Sequence, residues 1–377
     1  MIPSQRALFA IPDEIAYLNC AYMSPLMPEV VAAGTAGLAR KARPWALKPA
    51  DFFEETEIAR TLFARIVQAD VEGVAVVPAA SYGLATAAAN LPLSPGQRVV
   101  TLRDQFPSNV HVWRTAARRA GAEVVAVDLG SAADPTAAVI AAIDGRCAVA
   151  ALPNVLWTDG TRLDLVAIGA QCRAVGAALV LDLTQSAGAM VTDFAAIRPD
   201  FAVAASYKWL LGPYSIGFQY VAPQWRDGRP LEETWIGRAG SEDFAALVDY
   251  GDAYQPGARR FDMGERANFA LMPAAIAAMR RILDWGVAEI AATLGARTAA
   301  IAEGARAMGL SPTPDDRRGP HYLGVALPDA APPDLLARLA AQDIHVSQRG
   351  RSLRITPHLY NDESDTKRLL AALGAML

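Results

Sequence analysis

The sequence predicts an α/β protein with a large domain, in which helices cover both faces of a mostly parallel sheet, and a smaller C-terminal α+β domain. Between about residues 74 and 182, short runs that are apolar throughout alternate with longer segments of helical periodicity. This alternation is typical of sheets buried between two helical layers. Beyond about residue 270, two long helical segments precede several short strand-like segments. With 377 residues, 53% of them apolar, the chain can bury a core of this size.

The predicted elements follow one another in a regular order. A helix with Ile58, Leu62 and Ile66 on one face precedes the alternating region. The large domain is then predicted to contain strands at 74–77, 98–102, 123–129, 147–152, up to 182 and at 216–221, with helices at 81–91, 108–120, 135–143 and 165–175. The small domain is predicted to contain helices at 273–285, up to about 308 and around 335 and 369, with strands at 322–327, 344–347 and 353–356. We expect an N-terminal segment at residues 1–30, the large domain at 31–270 and the small domain at 271–377.

Composition and charge argue against several classes of protein. The formal net charge is -4 and no basic block is present, so we expect neither a nucleic-acid partner nor attraction to an anionic membrane. Cys20, Cys147 and Cys172 are far apart and lack the spacing of a zinc site or a disulfide framework, so no metal is expected. The first twelve residues lack a leader pattern, and no uncharged apolar run reaches the ~18 residues of a membrane span. We therefore expect a soluble, cytoplasmic protein.

Lys208 and Asp182 are the most informative residues of the chain. Lys208 follows an apolar run where a strand is expected to stop, and Asp182 lies at the end of another apolar strand. In parallel sheets, ligands bind beyond the carboxyl ends of the strands. Pyridoxal 5'-phosphate requires a lysine amine for a Schiff base with its aldehyde and an aspartate that keeps the pyridine nitrogen protonated. Either residue alone is more often an ordinary surface lysine or turn aspartate, but the pair in this context predicts a pyridoxal-phosphate site.

Small and hydroxyl-bearing residues indicate where the cofactor phosphate binds. The segment containing Ala79, Ala80 and Ser81 is a strand-to-helix turn, which offers backbone N–H groups and the positive end of a helix dipole to an anion. The Ser81 hydroxyl is a candidate for the phosphate and for the helix N-cap, and one residue can fill both roles. Ser206 and Tyr207 flank the lysine, and either hydroxyl is a candidate for the phosphate. Strand alternation is expected to turn one of them into the core.

Two residues are candidates for the cofactor ring. Phe106 follows the strand at 98–102 and is the best candidate for an aromatic side chain stacked on the pyridine face. The alternative is a loop phenylalanine that covers the core. Gln185 lies three residues after Asp182 and is a candidate for a hydrogen bond to the phenolic oxygen, whereas the alternative is an amide that caps a helix.

Arg354 lies in the middle of a predicted strand near the end of the chain. A guanidinium group presents two parallel N–H groups that match a carboxylate, so Arg354 is the candidate for the substrate α-carboxylate. The alternative is a structural salt bridge. For the neighbouring His358, hydrogen bonds within a local turn are a better interpretation than catalysis.

The residues quoted above resemble the class V aminotransferase family of the fold type I pyridoxal-phosphate enzymes, which includes cysteine desulfurases, kynureninases and isopenicillin N epimerase-like proteins. The resemblance runs over nearly the whole chain, from Tyr17-Leu18-Asn19-Cys20-Ala21 through Phe106-Pro107-Ser108-Asn109-Val110 and Asp182-Leu183-Thr184-Gln185 to Ser206-Tyr207-Lys208, Arg354 and Tyr360-Asn361. It implies Lys208 as the Schiff-base lysine and Asp182 on the ring nitrogen. It also implies the following roles: Gln185 near the phenolic oxygen, Phe106 on the ring face, Ala80, Ser81 and Tyr207 at the phosphate, and Arg354 with Asn19 at the substrate.

The chain also departs from the pattern of the family. Cysteine desulfurases place a nucleophilic cysteine on the loop before the carboxylate-binding arginine, and here the loop at 346–352 contains none. Kynureninases carry a histidine where this chain has Gln185. In relatives a Gly-Thr-Pro-Asn stretch reaches the phosphate of the partner subunit. The corresponding segment at 260–268 lacks this form, and Asn268 or Arg266 is the candidate to replace it.

The resulting prediction is a pyridoxal-phosphate-dependent enzyme acting on a small amino acid or keto acid, with Lys208 as the base at the α-carbon. Transamination is the first interpretation, and a lyase or an epimerase is the alternative. A non-catalytic pyridoxal-phosphate-binding protein is the alternative from another class. A nucleotide-binding oxidoreductase would need a GxGxxG turn, and the turn at 79–83 does not have it. The resemblance, with the aromatic and arginine residues between 223 and 268, also predicts a homodimer.

Overall fold

The computed structural model describes residues 1–130 and 132–377 and is an α/β structure. Its strands in these residues are β1 (Ala16–Tyr17), β2 (Val74–Val77), β3 (Arg98–Leu102), β4 (Glu123–Val127), β5 (Cys147–Pro153), β6 (Ala178–Asp182), β7 (Phe201–Ala205), β8 (Gly217–Val221), β9 (Ser311–Pro312), β10 (Leu323–Ala326), β11 (Ile344–His345), β12 (Ser347–Arg349) and β13 (Ser352–Ile355). Its α-helices are α1 (Pro28–Arg40), α2 (Glu54–Val67), α3 (Ala80–Asn90), α4 (Ser108–Ala120), α5 (Pro135–Ala142), α6 (Leu165–Val175), α7 (Phe194–Ile197), α8 (Leu271–Trp285), α9 (Val287–Ala307), α10 (Leu335–Ala340) and α11 (Glu363–Met376). None of these helices has the length and apolar character needed to span a bilayer.

The central sheet has seven strands in the order β2-β8-β7-β6-β5-β3-β4. Strands β4, β3, β5, β6 and β7 are parallel neighbours, and β8 is antiparallel to both β7 and β2. Because β8 is antiparallel to both of its neighbours, β2 runs in the same direction as β7. The carboxyl ends of six strands therefore lie at one edge of the sheet. This arrangement confirms the predicted mostly parallel sheet with helices on its faces.

A second, antiparallel sheet has the order β12-β13-β10-β9. Next to it, β1 pairs in parallel with β11, and Asn19 forms a bridge to Thr356. Ala16 and Leu18 accordingly belong to the apolar cluster of β10, β13 and α11. The start of the chain is thus packed against its end. The division at residues 30 and 270 stays a prediction.

The predicted elements agree with the structure within a few residues, and two differences have clear causes. The predicted strand at 344–347 is two strands, because β11 pairs with β1 whereas β12 pairs with β13. The predicted strand at 123–129 ends at Val127, where the Asp128 carboxylate accepts a hydrogen bond from the backbone N–H of Gly130 (3.0 Å). Such a local turn competes with continuation of the strand.

A buried ion network fixes the segment at 255–266 to the first strand of the central sheet. The Asp262 carboxylate accepts hydrogen bonds from Arg60 (2.8 Å), Arg266 (2.5 Å) and the backbone N–H of Val76 (2.7 Å). Arg266 also donates to the side chain of Gln255 (3.0 Å). Arg60 and Arg266 are almost completely buried. One carboxylate thus neutralises part of the charge of two buried guanidinium groups.

We expect Asp262→Ala to destabilise the protein by about 3–5 kcal/mol, because the change leaves buried Arg266 without its counter-ion and leaves buried Arg60 with Glu57 alone. Asp227→Ala is the matched control, since Asp227 is fully exposed and pairs with Arg260 at 3.2 Å. Its loss should cost no more than about 1 kcal/mol. Chemical denaturation of both variants measures the difference. Equal stabilities would show that the network does not support the fold.

Candidate active site

A cavity of about 240 Å³ lies at the carboxyl edge of the central sheet. Its walls come from the segments that follow β2, β3, β5, β6 and β7. The lining residues are Pro78, Ala79, Ala80, Ser81, Gln105, Phe106, Ser108, Pro153, Val155, Trp157, Asp182, Thr184, Gln185, Ala205, Tyr207, Lys208, Tyr214, Ser215 and Ile216. Lys208 and Asp182 are the charged members of this set. The sequence-predicted pair therefore shares one cavity.

Lys208 lies in a tight turn that follows β7. Gly212 N–H donates to the Ser206 carbonyl (2.9 Å), and Leu211 adopts a left-handed conformation with φ 55°. This conformation is uncommon for a residue with a side chain. The Lys208 side chain is 6% exposed, and burial lowers the pKa of its amine to about 8, although the Asp182 carboxylate opposes the shift. A large fraction of the amine is therefore neutral near pH 8 and able to act as a nucleophile or base.

Asp182 ends β6 and is buried beside the Thr184 backbone. Its carboxylate accepts a hydrogen bond from the Thr184 N–H (3.0 Å). Burial raises the pKa of Asp182, whereas this hydrogen bond and the charge of Lys208 act in the opposite direction. Burial thus favours the neutral form of both side chains, because it lowers the pKa of the Lys208 amine and raises the pKa of the Asp182 carboxyl group. A cationic ring nitrogen next to the carboxylate would restore the charged state.

Helix α3 begins at the cavity with residues that leave room for an anion. Its N-cap is Ala79, which has no side-chain capping bond, and the first N–H groups of a helix lack partners within the helix. Ala80 and Ser81 both line the cavity. Ser81 is the second helical residue, so the alternative that it caps the helix is wrong. The turn therefore presents backbone N–H groups to the cavity, as anion binding at a helix N-terminus requires.

Two aromatic side chains form one wall of the cavity. The Phe106 ring lies edge-to-face against Trp157, with centroids 5.4 Å apart, and its centroid is 5.5 Å from the Lys208 amine. The Tyr207 ring lies 5.4 Å from the same amine. Sequence reasoning missed Trp157, which lies on the loop after β5 and donates through its indole N–H to the Asp104 carbonyl (2.7 Å). The sequence signal that could have indicated Trp157 is its position shortly after the buried strand β5.

The amide of Gln185 is held by its own chain. Its nitrogen donates to the Ala21 carbonyl (3.1 Å), and its oxygen accepts from the Trp209 indole (3.0 Å). His321, also missed from the sequence, contacts the Gln185 carbonyl at 2.6 Å, and burial lowers the pKa of this histidine to about 4. Gln185 therefore lines the cavity in a fixed orientation.

Five predicted residues do not line the cavity, namely Ser206, Asn268, Arg266, Arg354 and Asn19. The Ser206 hydroxyl donates to the Pro213 carbonyl (2.6 Å), so Ser206 is the flanking residue that turns into the core. The Asn268 side chain accepts hydrogen bonds from the N–H groups of Ala270 and Leu271, at the start of α8. Arg266 belongs to the buried network around Asp262 described above.

Arg354 is buried on β13, behind the loop that carries Trp157. Its guanidinium group donates to the Ser347 hydroxyl (2.7 and 3.0 Å) and to the Trp157 carbonyl (2.9 Å). The Ser347 hydroxyl in turn donates to the Asn19 side chain (2.8 Å). Arg354 has no ion-pair partner within residues 1–130 and 132–377, so the alternative of a structural salt bridge is wrong for this part of the chain. Arg354 and Asn19 are thus connected through one hydroxyl group.

The loop of Trp157 can approach Arg354 because its neighbour on β10 has no side chain. Gly324 pairs with Arg354, and a Cβ atom on Gly324 would lie 2.5 Å from the Asp159 carbonyl oxygen. The Trp157 carbonyl accepts a further hydrogen bond from the Tyr322 hydroxyl. Any larger residue at position 324 would displace this loop.

His358 was predicted to form hydrogen bonds within a local turn, and only its backbone does so. Its backbone N–H donates to the Asn361 side chain (3.0 Å), but its buried ring has no hydrogen-bond partner among the described residues. Burial and the charge of Arg297 lower the pKa of this ring to about 3. The turn is therefore held by the backbone of His358, and its ring remains neutral.

The fold and the cavity define the class of the protein, a pyridoxal-phosphate-dependent enzyme of fold type I. The residues present fit this cofactor, since a partly neutral buried amine, a carboxylate, an aromatic wall and a helix N-terminus surround one cavity. The Aminotransferase class-V family model matches residues 36–366. The chain therefore belongs to the class V aminotransferase family.

Several curated proteins are similar to the chain. The uncharacterized aminotransferase YcbU of Bacillus subtilis is 28% identical over 336 residues, which are 85% of this chain and 84% of that protein. A kynureninase of Deinococcus radiodurans is 30% identical over 69% of this chain and 64% of its own length. An isopenicillin N epimerase of Streptomyces clavuligerus is 28% identical over 54% of this chain and 52% of its own length. The relatives thus carry the names of different reactions.

Solved structures show the same fold. A C-DES variant with glycine covalently linked to the PLP cofactor has a TM-score of 0.88 and 18% identity, and covers 99% of this chain and 100% of its own. An apo cysteine desulfurase of Thermococcus onnurineus has a TM-score of 0.83 and 19% identity, over 100% of this chain and 98% of its own. The predicted fold class, family and cofactor are confirmed.

We expect Lys208 in the cofactor-free protein to become reactive at lower pH than a solvent-exposed lysine. With a pKa of about 8, its neutral fraction should rise through this pH, because only the neutral amine is nucleophilic. Reductive methylation by a small aldehyde at a series of pH values, followed by peptide mapping, measures the midpoint. Exposed Lys48 is the internal reference.

In Asp182→Asn the midpoint should fall further, because the carboxylate that favours the charged amine is removed. A Lys208 midpoint above pH 10 in the unmodified protein would contradict the burial argument.

Proposed function

We propose that the protein is an aminotransferase that exchanges the amino group of a small amino acid with a keto acid at Lys208. One observation carries the proposal: Lys208 and Asp182 share a buried cavity at the carboxyl edge of the sheet. The chain is 28% identical to a protein named as an aminotransferase over 85% of its length, which supports the same reaction.

The cofactor, when bound, withdraws electrons from the substrate α-carbon. Lys208 Nζ would hold the cofactor through its aldehyde carbon. Once freed, it would remove the proton at Cα of the amino donor and, in the second half of the exchange, deliver a proton to Cα of the keto acid. Asp182 keeps a proton on the pyridine nitrogen. The N–H groups at Ala80 and Ser81, with the Tyr207 hydroxyl, bind the phosphate, and Arg354, positioned by Ser347 and Asn19, binds the α-carboxylate.

In this proposal, Phe106 and Gln185 orient the ring of the cofactor. Phe106 covers one face and, with Trp157, excludes water from the Lys208 amine. Gln185 offers its remaining amide hydrogen to the phenolic oxygen. Ser206 and Asn268 have no role in this proposal, since their side chains bond elsewhere.

An epimerase or a lyase would use the same base at the same atom. The relatives named isopenicillin N epimerase and kynureninase keep these alternatives open. The loop at 346–352 contains no cysteine, so a persulfide-forming desulfurase of the usual kind is not proposed. The outcomes differ in product: a new keto acid, a released side-chain fragment, or loss of chirality.

The test is a screen of amino donors and keto acids on the cofactor-loaded protein, with the three products measured in parallel. We expect amino-group transfer, and borohydride reduction should attach the cofactor to Lys208. Lys208→Ala should lose both the attachment and turnover, whereas Lys367→Ala, at an exposed position, should keep both. Asp182→Asn should retain cofactor but lose at least about 100-fold to 1,000-fold in turnover.

Attachment of the cofactor to another lysine would overturn the assignment of Lys208. Racemisation or fragment release without amino-group transfer would replace the aminotransferase by one of the two alternatives. Turnover of Asp182→Asn close to that of the unmodified protein would exclude Asp182 as the ring-nitrogen partner.

We also propose that the enzyme is a cytoplasmic homodimer whose partner subunit covers the mouth of the cavity. Trp45, Val248 and Tyr250 are 81%, 73% and 94% exposed, and exposed apolar and aromatic groups of this size are typical of interfaces. Tyr214 is exposed at the cavity and lies 4.6 Å from the Tyr207 ring. The three cysteines are free, which is usual in a reducing compartment.

We expect Tyr250→Asp to weaken dimerisation and cofactor retention together, because a two-fold interface contains each substitution twice. Sedimentation velocity over a dilution series, with cofactor occupancy measured on the same samples, tests this expectation. Val166→Asp is the control, since Val166 is exposed on α6. A monomer that keeps its cofactor and full turnover at high dilution would exclude a shared site.

A further inference from the structure

A second arginine lies on the same face of the small sheet as Arg354. In the antiparallel pairing of β12 with β13, Ser347 is opposite Arg354 and Arg349 is opposite Ser352. Side chains two residues apart on a strand point to the same face. Because the Ser347 hydroxyl contacts the Arg354 guanidinium group, Arg349 projects from β12 on the side that carries Arg354.

Both guanidinium groups lie against the cavity residue Trp157. The central carbon of the Arg349 guanidinium is 5.4 Å from the centroid of the Trp157 ring, and that of Arg354 is 6.0 Å from it. Trp157 shares the cavity wall with Lys208. The charges of Arg349 and Arg354 both lower the pKa of Lys208, as expected for cations close to the amine. The two arginines therefore belong to the surroundings of the reacting atoms.

Arg349 has no carboxylate partner within residues 1–130 and 132–377. Its guanidinium donates to the adjacent Gln348 carbonyl (2.7 Å), and burial together with the charge of Arg354 lowers its pKa. Arg351, two residues further in the same hairpin, differs from Arg349 because it is exposed and forms an ion pair with Asp329. Two unpaired cations side by side repel each other, and an anion between them relieves this repulsion.

We propose that Arg349 binds a second anionic group of the substrate, so that the substrate class is amino acids whose side chain ends in a carboxylate or a similar oxyanion. This inference rests on the proposed function, in which Arg354 takes the α-carboxylate. The guanidinium fork of Arg349 matches a planar carboxylate, and its contact with Trp157 holds the fork in place. Arg349 is then the residue that distinguishes acidic from neutral substrates.

The first experiment measures binding and needs no turnover. Succinate and butanoate have four carbons each but two carboxylates and one, respectively. In calorimetric titrations of the cofactor-loaded protein, succinate should bind at least roughly 10-fold more tightly, as expected for a charge-assisted hydrogen-bonded pair. Arg349→Gln should remove this difference and leave butanoate unchanged. Arg351→Gln should behave like the unmodified protein.

The second experiment compares matched amino donors. The ratio of kcat/KM for aspartate over asparagine, and for glutamate over glutamine, should be above 10 and should fall at least roughly 10-fold in Arg349→Gln. Arg349→Lys, which keeps the charge but loses the fork, should lie between the two proteins. Phosphoserine compared with serine shows whether the second anion is a carboxylate or a phosphate.

The outcomes separate this inference from the proposed function. Amino-group transfer without preference for acidic donors overturns the inference and leaves the function intact. Tighter binding of succinate without any amino-group transfer supports the second anion site and overturns the function. Equal loss of succinate and butanoate binding in Arg349→Gln, with an unchanged thermal unfolding transition, would show that Arg349 supports the α-carboxylate site and would overturn the second site.

Discussion

The burial of Lys208 and Asp182 in one cavity is the constraint on which the rest of the site depends. Removing an ammonium group and a carboxylate from water costs several kcal/mol for each. The pKa of the amine falls to about 8 and that of the carboxyl group rises, so burial makes the charged form of each group less stable than it is in water. The parallel pairing of β6 with β7 places both residues at one edge of the sheet, and a bound cation on the ring nitrogen favours the charged form of Asp182. Binding of the cofactor and ionisation of the site are therefore coupled.

The hairpin of β12 and β13 differs from the cavity in its charge. The cavity itself contains one cation and one anion, whereas the adjoining hairpin contributes two arginines without carboxylates among the described residues. Trp157 connects the two regions, because its ring lies in the cavity wall and its carbonyl accepts hydrogen bonds from Arg354 and Tyr322. In the proposed function, the two arginines would bind the anionic groups of the substrate, and Lys208 would act on its α-carbon.

The alternation of apolar runs and helices was sufficient to predict the central sheet and to place Asp182 and Lys208 at its carboxyl edge, because the order of parallel strands fixes where they end. Phe106 and Ala80 could be predicted for the same reason. The contribution of Trp157 could not, since it depends on a contact with β10 that the absence of a side chain at Gly324 permits. The hydroxyl of Ser206 was ambiguous until the turn after β7 was known. The contacts of the Asn268 side chain could not be predicted, because they depend on where α8 starts.

The pairing of the two ends of the chain has a consequence for biosynthesis. Asn19 is separated by 328 residues from Ser347, and β1 pairs with β11, so these contacts can form only after the residues up to β12 have been synthesised. The central sheet and its lysine are synthesised long before that moment. Closing so large a loop late in folding is slow relative to local pairing. The residues that line the cavity are therefore synthesised before the hairpin that carries Arg349 and Arg354, and the loop of Trp157 gains its contacts with Tyr322 and Arg354 only afterwards.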